Sequence, residues 1–137
     1  MKATGTFKPV KWDEKTYDQI TADKKLTKAA VELAFSGEIE GTASVEWQMF
    51  YRHSDDADQH NASATFTGLM RFDGTLNGKP GTFVMDDRGT FDKGVLNGAL
   101  TILLDSGTGA LTAITGTARY TSSTSEVAFE IEYELNV

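Results

Sequence analysis

The chain has 137 residues, no cysteine and a formal net charge of −7. Disulfides, thiolate nucleophiles and cysteine–zinc centres are therefore excluded, and an acidic chain with scattered Lys and Arg argues against nucleic acid as a partner. The length is that of one domain with enough buried surface for an unaided core, so residues 1–137 are read as a single β-barrel domain.

Eight strands are expected, over about residues 2–8, 26–36, 38–52, 62–76, 80–92, 94–105, 110–120 and 126–136. The opening Met1-Lys-Ala-Thr-Gly-Thr-Phe7 has no apolar core of a signal peptide, and no segment approaches a membrane span; a cytoplasmic protein without a membrane partner is expected. Pro9 ends the first strand, and residues 9–24 carry too few apolar positions for a helix. An irregular segment or single helical turn is expected there, packing Trp12 against one end of the barrel.

Side chains alternate across a strand, so the third strand divides cleanly. Ile39, Gly41, Ala43, Val45, Trp47, Met49 and Tyr51 share one face, and Glu40, Glu46, Gln48 and Phe50 share the other. Phe66, Met70 and Phe72, then Phe83 and Met85, then Phe129, Ile131 and Tyr133 extend the apolar face around the sheet. The last strand is the clearest, with Val127 to Leu135 alternating against Glu130, Glu132 and Glu134. Asn77-Gly78 fits a tight hairpin turn, whereas Gly68 and Asn97-Gly98 fall inside strand patterns and suggest bulges. Short connections between alternating segments specify an all-β, single eight-stranded antiparallel barrel whose first and last strands meet.

A barrel of this size is either filled by side chains or holds one small ligand. The candidate lining is Trp47, Met49, Tyr51, Phe66, Met70, Phe83, Met85 and Tyr133, which would suit a small apolar molecule. The alternatives are an isomerase or cyclase acting on a molecule held there, and a structural or interaction protein with a filled barrel. In Val84-Met-Asp-Asp-Arg-Gly89 the register of Phe83 and Met85 turns Asp87 inward. An inward carboxylate at a barrel mouth is a candidate general acid or base, and Asp87 with Arg71 is the pair that the enzyme reading nominates. Glu32 interrupts an apolar run but has the parity of the wet face.

His53, Asp55, Asp56, Asp58 and His60 crowd one loop, yet it lacks the glycine of a calcium-binding hand and follows no metal-ligand spacing. A solvated hairpin loop is expected, with no metal. Gly107-Thr-Gly109 starts like a dinucleotide fingerprint but runs into a strand pattern without a third glycine, so no cofactor is indicated. Phe50, out of phase with the apolar face, marks a contact surface for a homo-oligomer, most simply a dimer.

The stretch from Ser106 to Gly116, Ser-Gly-Thr-Gly-Ala-Leu-Thr-Ala-Ile-Thr-Gly, resembles the turn-and-strand of allene oxide cyclases and dirigent proteins. Along the whole chain, Met1–Phe7, Trp12-Asp-Glu14, Phe35-Ser-Gly-Glu-Ile-Glu-Gly41 and Gly78-Lys-Pro-Gly-Thr-Phe83 are similar to a bacterial family of unknown function that shares this barrel. The resemblance implies an eight-stranded antiparallel barrel with a central cavity, often oligomeric. Related barrels steer cyclisations of apolar substrates by confining a reactive conformer. No catalytic residue carries over from it.

Overall fold

The computed structural model describes residues 1–54, 61–124 and 126–135. Eight antiparallel strands follow one another around a closed barrel. They are β1 (Lys2–Gln19), β2 (Lys25–Gly37), β3 (Ile39–His53), β4 (Ser63–Leu76), β5 (Lys79–Asp92), β6 (Val95–Ile102), β7 (Ile114–Ser122) and β8 (Val127–Leu135). Consecutive strands are neighbours throughout, and the ring closes where Lys2–Phe7 of β1 pairs with Val127–Glu132 of β8. No helix among the described residues is long and apolar enough to cross a membrane.

The alternation read from β3 and β8 is realised residue by residue, with apolar side chains inside and charged ones outside. At mid-barrel the rings of Phe35, Phe72, Phe83 and Phe129 pack tilted or edge-on, with neighbouring centroids 5.1 to 5.5 Å apart. Met70 and Met85 fill the gaps beside them and are fully buried. Below, Leu76, Leu111, Ile114 and Ile131 seal one end. Leu111 comes from a 3-10 turn, Gly109–Leu111, where a strand from residue 110 is expected. Gly109 has φ +61°, and Thr112 Oγ1 donates to its carbonyl at 2.7 Å, so the backbone curls before β7 begins at Ile114.

The largest departure from the sequence reading is β1. Residues 9–19 are not irregular; the strand continues to Gln19, paired with β2 throughout. Pro9 is tolerated because pairing with β8 stops at Phe7, leaving one side of β1 open beyond it. The register shifts between Pro9 and Lys11, so Val10 is a bulge. That extra residue reverses the phase of β1 as far as Thr16, before a second shift at Tyr17. Phe7 is buried on the inner face, and beyond the bulge Trp12, Glu14 and Thr16 lie opposite the buried Val31, Ala29 and Thr27.

Asn77 and Gly78 form the expected hairpin turn, with φ of 49° and 81°. The bulges expected at Gly68 and Asn97-Gly98 do not occur, because both stretches pair in unbroken register. Gly68 and Gly98 serve the interior instead, by leaving room for neighbouring rings.

Candidate functional site

The Trp47–Gly68–Asp87 row explains the upper core. These three residues lie side by side on β3, β4 and β5. A Cβ on Gly68 would stand 3.1 Å from Trp47 Cδ1 and 2.3 Å from the Glu46 carbonyl oxygen. With no side chain there, the indole crosses β4 and donates from Nε1 to Asp87 Oδ2 at 2.8 Å. Tyr120 OH donates to the same carboxylate, at 2.8 Å to Oδ1 and 3.1 Å to Oδ2. The Tyr120 ring in turn lies over Gly98, its register partner on β6.

Asp87 is fully buried. Its desolvation raises the carboxyl pKa from 3.8 to about 6, against the lowering effect of the Trp47 and Tyr120 hydrogen bonds. Burial and the neighbouring Asp87 charge also raise the Tyr120 phenol, which keeps it a donor.

Above this row the barrel is open. A cavity of about 350 Å³ occupies the end where the β1–β2 and β5–β6 hairpins turn, with lining residues from all eight strands. Phe7, Leu33, Trp47, Met49, Phe66, Phe91, Leu96 and Val127 form its apolar wall. Trp12 arches over from β1, its ring centroid 5.7 Å from that of Trp47, while Phe66 lies 5.0 Å from Trp47 on the other side. Glu14 is the carboxylate in the lining. Its Oε2 accepts from Thr27 Oγ1 at 2.7 Å and Tyr51 OH at 2.6 Å, and its Oε1 accepts from Trp12 Nε1 at 3.0 Å. Burial, then the Glu14 contact, raises the Tyr51 phenol above its ordinary value, so it too remains a donor.

The eight residues read from the sequence as a lining therefore separate. Trp47, Met49, Tyr51 and Phe66 border the cavity. Met70, Phe83 and Met85 lie below it in the packed centre. Tyr133 is at the closed end, where Asn77 Nδ2 donates to its hydroxyl at 2.6 Å. Asp87 does point inward, but it is sealed beneath Trp47 rather than exposed to the cavity. Arg71 lies exposed on β4, in a row with Ser44 and Val84, and does not meet it. The expected pairing of Asp87 with Arg71 is thus replaced by Asp87 with Trp47 and Tyr120.

Glu14 was hidden from sequence reasoning by the bulge at Val10. Without a phase reversal after Pro9, Lys11 and Asp13 would be the inward residues; only the side-by-side pattern of Trp12 and Glu14 two apart carried the signal. Of the acidic loop, residues 55–60 lie outside the described residues; His53 Nδ1 sits 3.4 Å from Asp23 Oδ2. Among the described residues no three His, Asp or Glu side chains are grouped to hold a metal.

No curated protein matches the chain. Among solved structures, a protein of unknown function from Shewanella oneidensis MR-1 shares 21% identity and a TM-score of 0.74, over 100% of this chain and 98% of that one. At that identity the likeness is one of fold. The Shewanella protein is assigned to DUF3224, and the model of that family matches residues 3–133 here. The chain belongs to DUF3224, a family of proteins of unknown function.

Proposed function

We propose that the barrel mouth binds a small, largely apolar molecule and does not transform it. The observation that carries this is the contrast within one interior. The barrel is packed from Leu111 up to Met85, then opens into a cavity of about 350 Å³ walled by aromatic side chains. Concave, mostly apolar sites with a few placed polar groups are the usual form of a ligand pocket. The alternative, an isomerase or cyclase, rests on the resemblance to allene oxide cyclase and dirigent barrels. The carboxylate nominated for it, Asp87, has both oxygens engaged and no exposed surface, which weighs against that reading.

The test is direct. Native mass spectrometry of protein purified from its own host is expected to show a bound small molecule. The neutral probe N-phenyl-1-naphthylamine is expected to quench Trp12 and Trp47 fluorescence. Ala62 lines the cavity and is buried. Ala62→Phe is expected to fill the space and weaken the probe by at least about tenfold. No bound mass together with no quenching would overturn the proposal and favour a structural or interaction role.

We also propose that the protein is a homodimer. Tyr17, Leu26 and Phe50 border one groove that runs from β1 and β2 across β3 to Thr65 and Thr67 of β4 and Arg88 of β5, and Leu26 is the register partner of Phe50. Phe50 is 36% exposed and Tyr17 54% exposed, a larger apolar strip than a single stray aromatic. Light scattering at tens of micromolar is expected to give a dimer for the parent and a monomer for Phe50→Glu. A monomeric parent, unchanged by the substitution, would contradict it.

A further inference from the structure

We propose that the molecule held in the mouth is a cation: an amine or quaternary ammonium carried on an apolar body, with its charged head beside Glu14. This rests on the reading of the mouth as a ligand site and names the class of ligand. The first observation is the state of the Glu14 carboxylate. Oε2 already takes two hydrogen bonds, from Thr27 and Tyr51, while Oε1 takes one, from Trp12. A carboxylate has about four acceptor positions, so Oε1 retains one for a further donor. Three donors on three strands fix its orientation, so a ligand would meet a carboxylate already in place.

The second observation is the wall around it. Trp12, Trp47 and Phe66 form a continuous run of rings, and Tyr51 adjoins Glu14 directly. Aromatic faces carry negative charge and attract ammonium groups, most strongly where water is excluded. This behaviour already occurs at the rim, where Lys25 Nζ lies 5.0 Å from the Tyr51 ring centroid. Neither Lys nor Arg lines the cavity among the described residues. An anionic ligand would thus be set against Glu14 with no cation in the cavity wall, Lys25 lying at the rim over the Tyr51 ring. A neutral hydroxyl could fill the free acceptor position, but it would gain neither the charge–charge attraction of Glu14 nor that of the ring faces. The net charge of −7 favours approach of a cation as well.

Glu14 could instead serve only to staple β1 to β2 and β3, and the experiment separates the two roles. Three probes share one body: 4-phenylbutylamine, 4-phenylbutan-1-ol and 4-phenylbutyrate. They are titrated at pH 7.5 by calorimetry and by tryptophan fluorescence. The expected order is amine, then alcohol, then carboxylate, with the amine at least about tenfold tighter than the alcohol. Glu14→Gln retains the side-chain shape, and it is expected to bring the amine-to-alcohol ratio close to one while alcohol affinity persists. A stapling role alone would leave the ratio unchanged. If Glu14→Gln does not fold, Trp12→Leu removes a ring and leaves the carboxylate; the amine preference is then expected to fall by about threefold or more. Alcohol or carboxylate binding as tightly as the amine would overturn the cation proposal and leave the ligand site standing. No binding by any of the three probes would overturn the ligand site itself.

Discussion

Replacing Asp87 by asparagine is expected to make the protein more stable at pH 7.5 and to leave it nearly unchanged at pH 4. The folded carboxyl titrates near 6 instead of 3.8, so the native state holds its proton more tightly than the unfolded chain does. For an acid shifted in this direction, stability is greatest below the unfolded pKa. It declines as pH rises from about 4 to about 6 and is level above. Two pKa units correspond to roughly 3 kcal/mol, the cost of keeping this carboxylate ionised in the core. Asparagine avoids that cost. Its Oδ1, in the place of Oδ2, accepts from Trp47 Nε1 and from Tyr120 OH, while its Nδ2, in the place of Oδ1, faces the Tyr120 hydroxyl oxygen. Allowing for imperfect amide geometry, a gain of about 2 kcal/mol at pH 7.5 is expected. Urea denaturation of both proteins at the two pH values measures it. A variant less stable at pH 7.5 than the parent would show that the ionised carboxylate is a net asset to the fold.

Gly98→Ala is expected to cost about 3 kcal/mol, far more than a glycine-to-alanine change in an ordinary strand. A Cβ at this position would stand 2.0 Å from Cζ of Tyr120. That ring cannot step aside cheaply, since it is buried, bonded to Asp87 and edge-on to Phe7 at 5.2 Å. Gly78→Ala provides the contrast. Nothing lies within 4 Å of its Cβ position, and the penalty comes from φ +81° alone, about 1 kcal/mol. Chemical denaturation ranks the two, and near-ultraviolet dichroism of Gly98→Ala is expected to report a displaced tyrosine. Equal costs for both variants would mean that the ring and its carboxylate shift without resistance.

The architecture was legible because alternation survives in every strand that is wet on one side and dry on the other. Val127 to Leu135 announces β8 unaided, and Asn77-Gly78 announces its turn. The inward turn of Asp87 followed from the same parity. What stayed hidden was wherever one residue broke the count or a missing side chain acted at a distance. Val10 inverts the phase of β1, so a segment that reads as irregular becomes the strand that brings Trp12 and Glu14 to the mouth. Gly68 and Gly98 read as kinks because a sequence shows an absent Cβ but not the ring that occupies its place. Likewise, parity places Met70, Met85 and Phe83 inside but says nothing of height along the barrel, which decides between core and cavity wall.

The parting of β1 from β8 beyond Phe7 has a consequence of a different kind. A closed barrel offers no backbone for another chain to join, but a strand that outruns its neighbour restores such a template along one flank. From Lys8 to Gln19 that flank is poorly suited to recruitment. Pro9 lacks an amide hydrogen, and register shifts at Val10 and Tyr17 break the straight run that a second strand would need. The Val10 shift that aims Trp12 and Glu14 into the mouth therefore also makes this open flank a poor template for a further strand.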